Sequence, residues 1–102
     1  MSKRYLLVKV ICERSISAQL FEAALINSIR RLFGDFGLAR MDPKVVSFDA
    51  TSLEAIVACN SERAEDLQAA IGLISNTSES TITALTLHVS GTIEGLRRKQ
   101  RF

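Results

Sequence analysis

The chain alternates between two kinds of periodicity, and their order limits the folds open to it. Tyr5 to Cys12 is dense in Leu, Val and Ile with Lys9 as its only charge, the mark of a central strand. From Gln19 to Phe33 the residues Leu20, Ala24, Leu25, Ile29, Leu32 and Phe33 recur three and four apart, the spacing of one helix face. Ser15 or Ser17 can accept from free N–H groups at its start. Arg30 and Arg31 suit the negative end, and Gly34 is the expected stop. Gly34-Asp35-Phe36-Gly37 reads as a turn-rich link with an exposed aromatic, closed by Pro43. Lys44 to Asp49 and Glu54 to Cys59 read as a hairpin across Ala50-Thr51-Ser52. Asn60 or Ser61 is the expected cap of a second helix. That helix has Glu62, Glu65 and Asp66 in its first turn and Leu67, Ala70, Ile71 and Ile74 as its apolar stripe. Asn76 to Ser80 is a polar loop, Thr81 to Val89 a fourth strand, and Thr92 to Phe102 a short segment with a basic end.

Strand, helix, strand, strand, helix, strand is the split βαβ order. The expected fold is α+β and ferredoxin-like (βαββαβ): a four-stranded antiparallel sheet with two main helices on one face. A length of 102 residues points to one domain, 1–102, ending in the short basic segment 92–102. An apolar fraction of 47% with 24% charged residues is globular composition. The formal net charge is only +2, so the placement of the cations carries more information than their number. No stretch approaches the ~18 apolar residues of a spanning helix, and no membrane role is expected. Cys12 and Cys59 lie in apolar runs and read as small buried hydrophobes in a reducing compartment, the cytoplasm.

Alternation assigns the sheet faces. Lys9 places Tyr5, Leu7 and Ile11 with it on the face away from the helices, and Leu6, Val8, Val10 and Cys12 in the core. Glu54 places Ile56 and Ala58 on that same open face. Val46 and Phe48 are expected inward. Leu85, Leu87 and Val89 are expected inward as well, with Thr86, His88 and Ser90 outward. An open face bearing Tyr5, Leu7, Ile11, Ile56 and Ala58 is too apolar to stand in water. The segment after Gly91 folds over it, a partner protein covers it, or both do. Its central strands offer Tyr5 but otherwise aliphatic residues, so base stacking across the sheet is disfavoured.

Catalytic signals are absent from the pattern. The chain has one His, His88, flanked on its face by Thr86 and Ser90 rather than by an orienting carboxylate. There is no nucleophile elbow, P-loop or dinucleotide fingerprint. Asp35, Asp42 and Asp49 lack spacing suited to a metal, and no metal site is expected. Arg97, Arg98, Lys99 and Arg101 crowd the last six positions with no acid among them. Lys3 and Arg4 cluster at the other end. Neighbouring first and fourth strands would bring the two clusters together into a phosphate-binding patch. Free N–H groups at Gly91-Thr92 are a weaker candidate for a phosphate contact.

The run Thr86-Leu87-His88-Val89-Ser90-Gly91-Thr92-Ile93 is the most specific in the chain. Together with Arg4-Tyr5-Leu6-Leu7 and Gly34-Asp35-Phe36-Gly37-Leu38-Ala39, it resembles the small protein subunit of archaeal and eukaryotic ribonuclease P. The archaeal form is protein component two, of the "Pop-five" type. The resemblance spans nearly the whole chain in order and spacing. It implies a non-catalytic subunit with no cofactor of its own. The RNA component, with bound magnesium, removes the 5′ leader from precursor tRNA. The implied partners are ribonuclease P RNA, a larger barrel-shaped protein subunit and, indirectly, precursor tRNA; a homodimer within a heterotetramer is also implied. The absence of a long C-terminal extension suggests an archaeal source. On this reading Arg97, Arg98, Lys99 and Arg101 contact RNA, with Lys3 and Arg4 beside them. Phe36 and Leu38 of the central link, with Tyr5, Leu7 and Ile56 of the open face, are the expected protein contacts. Gly95 costs about 1 kcal/mol relative to Ala within a helix, which argues for a loose cover over the sheet. The alternative reading is a small-ligand or regulatory ferredoxin-like module that dimerises through its sheets.

Overall fold

The computed structural model describes residues 2–13, 15–74 and 82–100. The elements are β1 (Lys3–Cys12), α1 (Ala18–Met41), β2 (Lys44–Asp49), β3 (Glu54–Asn60), α2 (Ala64–Gly72), β4 (Ile82–Ser90) and α3 (Ile93–Gln100). A 3₁₀ turn, Ser61–Arg63, joins β3 to α2. The four strands form one antiparallel sheet in the order β2-β3-β1-β4, the ferredoxin-like arrangement. The polar loop expected at Asn76 to Ser80 and the tail residue Arg101 lie outside the described residues.

The two central strands obey simple alternation. Leu6, Val8 and Val10 of β1 and Ala55, Val57 and Cys59 of β3 are buried against the helices. Phe21, Ala24, Leu25 and Ile29 of α1 and Leu67, Ala70 and Ile71 of α2 complete that core. Between the two helices, the buried Ser28 hydroxyl donates to the Ala70 carbonyl at 2.6 Å. Ser17 caps α1, its hydroxyl accepting from the Leu20 N–H at 3.1 Å. The Phe21 and Phe48 rings stack at 5.6 Å and tie the edge strand β2 to α1.

Both edge strands break the alternation, because each is bulged. In β4 the register against β1 shifts between Leu7 and Val8, so Leu87 is an extra residue. Ile82 and Ala84 therefore face the core, while Leu85 lies opposite Lys9 on the open face and is exposed. Thr86 takes the helix side opposite Val8, which reverses the expectation for both residues. Beyond the bulge His88 and Ser90 face outward as expected, opposite Leu7 and Tyr5. Val89 lies opposite Leu6 on the helix side yet stays exposed. In β2 the shift falls between Val45 and Ser47: Val45 and Phe48 pack on the core, and Val46 is exposed rather than inward.

Helix α1 also departs from expectation. Gly34 does interrupt it, with φ 72° and ψ 178°, a conformation that glycine adopts without strain. The helix then resumes to Met41, so the expected link is a second helical segment. That segment ends at Asp42, itself in a left-handed conformation just before Pro43. At the second helix, Asn60 does not act as a cap, because its side chain is used elsewhere.

Candidate nucleic-acid and protein interface

Helix α3 lies over the open face of the sheet. Leu96 is fully buried and forms a second apolar cluster with Leu7 and Ile56, against which Tyr5 and Ile93 pack. The apolar surface of Leu7 and Ile56 is thus covered by the chain's own helix. The structure removes these two from the expected partner interface and leaves Tyr5 half-buried at its margin.

The seat of α3 is built from the run Ser90 to Gly95. The Thr92 N–H donates to the Ser90 hydroxyl at 3.2 Å, and the Gly95 N–H donates to the Thr92 hydroxyl at 3.0 Å. Thr92 therefore acts as the N-cap of α3. These bonds engage the N–H groups of Thr92 and Gly95 within the chain and weaken the case for a phosphate site there. Gly95 has a steric role: a Cβ added there would overlap the Ser90 hydroxyl oxygen and stand 3.0 Å from Thr92 Oγ1. The glycine that looked costly for a helix lets α3 sit close to β4.

Arg97, Arg98 and Lys99 follow Leu96 and are exposed in the last turn of α3, where cations suit the helix dipole. Being consecutive, they fan over roughly 200° around the helix axis. Arg4 stands by the start of α3, its Nη1 3.8 Å from where a Cβ of Gly91 would lie. It is exposed and donates to the Lys3 carbonyl at 3.1 Å. Lys3 points elsewhere. Its Nζ donates to Asn60 Oδ1 at 3.0 Å and pairs with Asp42 Oδ2 at 3.4 Å. The structure thus sets Arg4 beside the root of the basic helix and ties Lys3 to the end of α1.

The second half of α1 has two faces. Leu38 packs against the main core and Met41 is buried, so Leu38 is mainly a core contact rather than a surface anchor. Phe36 is 71% exposed, with the Arg40 guanidinium 4.4 Å from its ring centroid. Arg40 was not anticipated, although it stands one helical turn from Phe36, the spacing that pairs side chains on a helix. Beside Arg40 is a hollow of about 290 Å³ lined by Ala39, Arg40, Asn60, Glu62 and Arg63. Asn60 Nδ2 donates to the Arg40 carbonyl at 2.7 Å and joins the end of α1 to the end of β3.

Among the described residues no group of three or more His, Cys, Asp or Glu side chains could hold a metal ion. Also among them, no helix is long and apolar enough to cross a membrane. Both cysteines are free, Cys59 buried and Cys12 half-buried.

The sequence pattern of the Rpp14/Pop5 family matches residues 4–101. This chain belongs to the Rpp14/Pop5 family. Relatives of this Rpp14/Pop5 member include ribonuclease P protein component 2 of Pyrococcus furiosus, 32% identical over 95% of this chain and 81% of the relative. The protein of that name from Archaeoglobus fulgidus is 31% identical over 95% of this chain and 86% of the relative. In three dimensions the family member matches a chain of yeast ribonuclease MRP with a TM-score of 0.75. That match covers 98% of this chain and 92% of the other at 15% identity, a likeness of fold.

Proposed function

We propose that this chain is a non-catalytic protein subunit of ribonuclease P, supporting RNA-catalysed removal of the 5′ leader from precursor tRNA. The observation that carries the reading is its likeness, over 95% of its length, to proteins named as ribonuclease P component 2. The surface supports it. The sheet face that RNA readers of this fold use for stacking is occupied by α3, which turns a basic flank outward instead. Contacts of that kind hold phosphates without reading sequence. Arg97, Arg98 and Lys99, with Arg4 at the helix root, are the proposed RNA contacts, and Arg101 extends the same run. Lys3 ranks behind them because its charge is already matched by Asp42. The magnesium belongs to the RNA component, and the cytoplasm is the proposed location. The proposed protein partner is the barrel-shaped subunit, with a homodimer of this chain within a heterotetramer. The ligand-binding alternative gains no support, because α3 covers the sheet centre through which such a module would dimerise.

Reconstitution tests the proposal. Adding this chain with the barrel-shaped subunit to a ribonuclease P RNA should lower the magnesium needed for precursor-tRNA cleavage. Replacing Arg97, Arg98 and Lys99 with Glu should reduce the slope of log affinity against log salt by about 2–3, at a little under one per phosphate contact. No gain in cleavage from the unmodified chain would refute the subunit role. An unchanged salt slope would remove α3 from the RNA contact.

A further inference from the structure

Among the described residues Tyr5 carries the one benzene ring on the open face of the sheet. Phe21, Phe33 and Phe48 belong to the main core, and Phe36 is exposed on α1. Tyr5 packs against the cluster of Leu7, Ile56, Ile93 and Leu96 yet stays partly in solvent, because α3 covers the sheet centre and only reaches this margin.

The strand register fixes what lies beside the ring. Tyr5 pairs with Ala58 on β3, and Ala58 pairs with Lys44 on β2, so the three side chains stand in one row on one face. Strands about 4.8 Å apart put the Tyr5 and Lys44 backbones roughly 10 Å from each other, with only the Ala58 methyl group between. The next row along the sheet, Leu7 and Ile56, lies under Leu96. Tyr5 thus borders a shallow ledge that is floored by Ala58 and walled by α3.

The charges around this ledge are mainly cationic. Lys44 is exposed and forms no ion pair among the described residues. The acid closest to it in the chain, Asp42, is matched by Lys3 at 3.4 Å. Arg4, next to Tyr5 in β1, is exposed. Glu94 of α3 is outnumbered by Arg97, Arg98 and Lys99 of the same helix. A ring with unmatched cations near it is the make-up of a site that stacks a base and holds its phosphates.

We infer that Tyr5 stacks one unpaired base of RNA on the ledge beside α3, with Lys44 holding an adjoining phosphate. The inference rests on the subunit reading for the choice of RNA as the ligand. The cations of α3 neutralise phosphates whether or not bases are attached, whereas Tyr5 distinguishes a strand with bases from one without. α3 limits the site to one base, since Leu96 occupies the row that a second would need. Ala58 and the aliphatic cluster carry no side-chain hydrogen-bonding groups, so stacking there tolerates any base.

Tyr5 is the only tyrosine and the chain has no tryptophan, so tyrosine fluorescence reports this position alone. The test titrates the full chain with single-stranded hexaadenylate and with an abasic strand of the same length and charge. Cleavage by the reconstituted ribonuclease P is measured in parallel. Hexaadenylate should quench the emission and bind about five- to a hundredfold more tightly than the abasic strand, the worth of one stacked base. Tyr5→Phe should keep this preference and Tyr5→Leu should abolish it, with circular dichroism confirming that both are folded. Lys44→Gln should weaken both strands alike and cut the slope of log affinity against log salt by about 0.7. Equal affinity of the parent for the two strands, or binding without quenching, would overturn the inference and leave the subunit role intact. A folded Tyr5→Leu protein that keeps the preference would overturn it too, and a salt slope unchanged in Lys44→Gln would overturn the Lys44 contact. A parent that prefers hexaadenylate but gives no gain in cleavage would refute the subunit role and keep the ledge as a base site.

Discussion

Gly95→Ala separates two physical arguments that disagree in sign. Helix propensity alone predicts a gain of about 1 kcal/mol when an interior glycine becomes alanine. The structure predicts a loss. The new methyl would overlap the Ser90 hydroxyl oxygen, which accepts the Thr92 N–H, and would crowd Thr92 Oγ1 at 3.0 Å. Rotating Ser90 away sacrifices a hydrogen bond worth about 1 kcal/mol. Lifting α3 instead begins to expose Leu96, whose full burial contributes about 1.5–3 kcal/mol. Overpacking strain of about 1–3 kcal/mol is the usual measure of such a conflict. Set against the propensity gain, the expected net effect is a destabilisation of up to about 2 kcal/mol, a drop in melting temperature of up to roughly 15 °C for a domain of this size. Urea and thermal unfolding followed by circular dichroism would measure it, and hydrogen exchange would place the loosened amides in α3. In a Ser90→Ala background the oxygen is gone and the nearest serine atom left is Cβ at 3.5 Å, an ordinary contact. The 3.0 Å approach to Thr92 Oγ1 remains, and Gly95→Ala should cost less there than in the parent. A single Gly95→Ala variant more stable than the parent would refute the steric account of the α3 seat.

Thr86 Oγ1 is buried with no hydrogen-bond partner among the described residues, so Thr86→Val should raise the unfolding free energy by about 1 kcal/mol in urea titrations. The N–H groups of Thr51 and then Ser52 hold the Asp49 carboxyl below its ordinary pKa. A depressed folded value gives stability that is present above the unfolded carboxylate pKa and is lost as pH falls through the folded one. Asp49→Asn should therefore flatten the decline in stability below about pH 4, measured by unfolding at a series of acid pH values. Burial raises the Cys59 thiol pKa against the opposing pull of Lys3 and Arg4. Alkylation at mildly alkaline pH should reach half-buried Cys12 first and Cys59 only on unfolding, as peptide mass mapping would show.

The sequence is most legible where a strand has neighbours on both sides. β1 and β3 keep one register along their mutual pairing, so alternation from Lys9 and Glu54 assigns their faces correctly. Alternation cannot see an inserted residue, and Val46 and Leu87 are such insertions. Every assignment on the wrong side of a bulge then reverses. Gly34 was legible as a break in the helix ladder. Resumption of the helix beyond it depends on Leu38 and Met41 finding the core, which is tertiary information. The basic run at Arg97 to Lys99 was plain in the chain. Its separation from Lys3 was not, because that depends on Asp42 and Asn60 arriving from two other elements. The Gly95 seat was misread for a similar reason: the conflicting atom belongs to Ser90, on the preceding strand.

The bulges also bear on how this chain behaves in a crowd. β2 and β4 are the two rims of the sheet, and β4 has no charged residue to repel another molecule's strand. Its defence is the irregularity at Leu87, as that of β2 includes the one at Val46. A rim whose ladder skips a step makes a poor template for an incoming flat strand. The two skipped steps thus disfavour rim-to-rim strand pairing between copies of this chain.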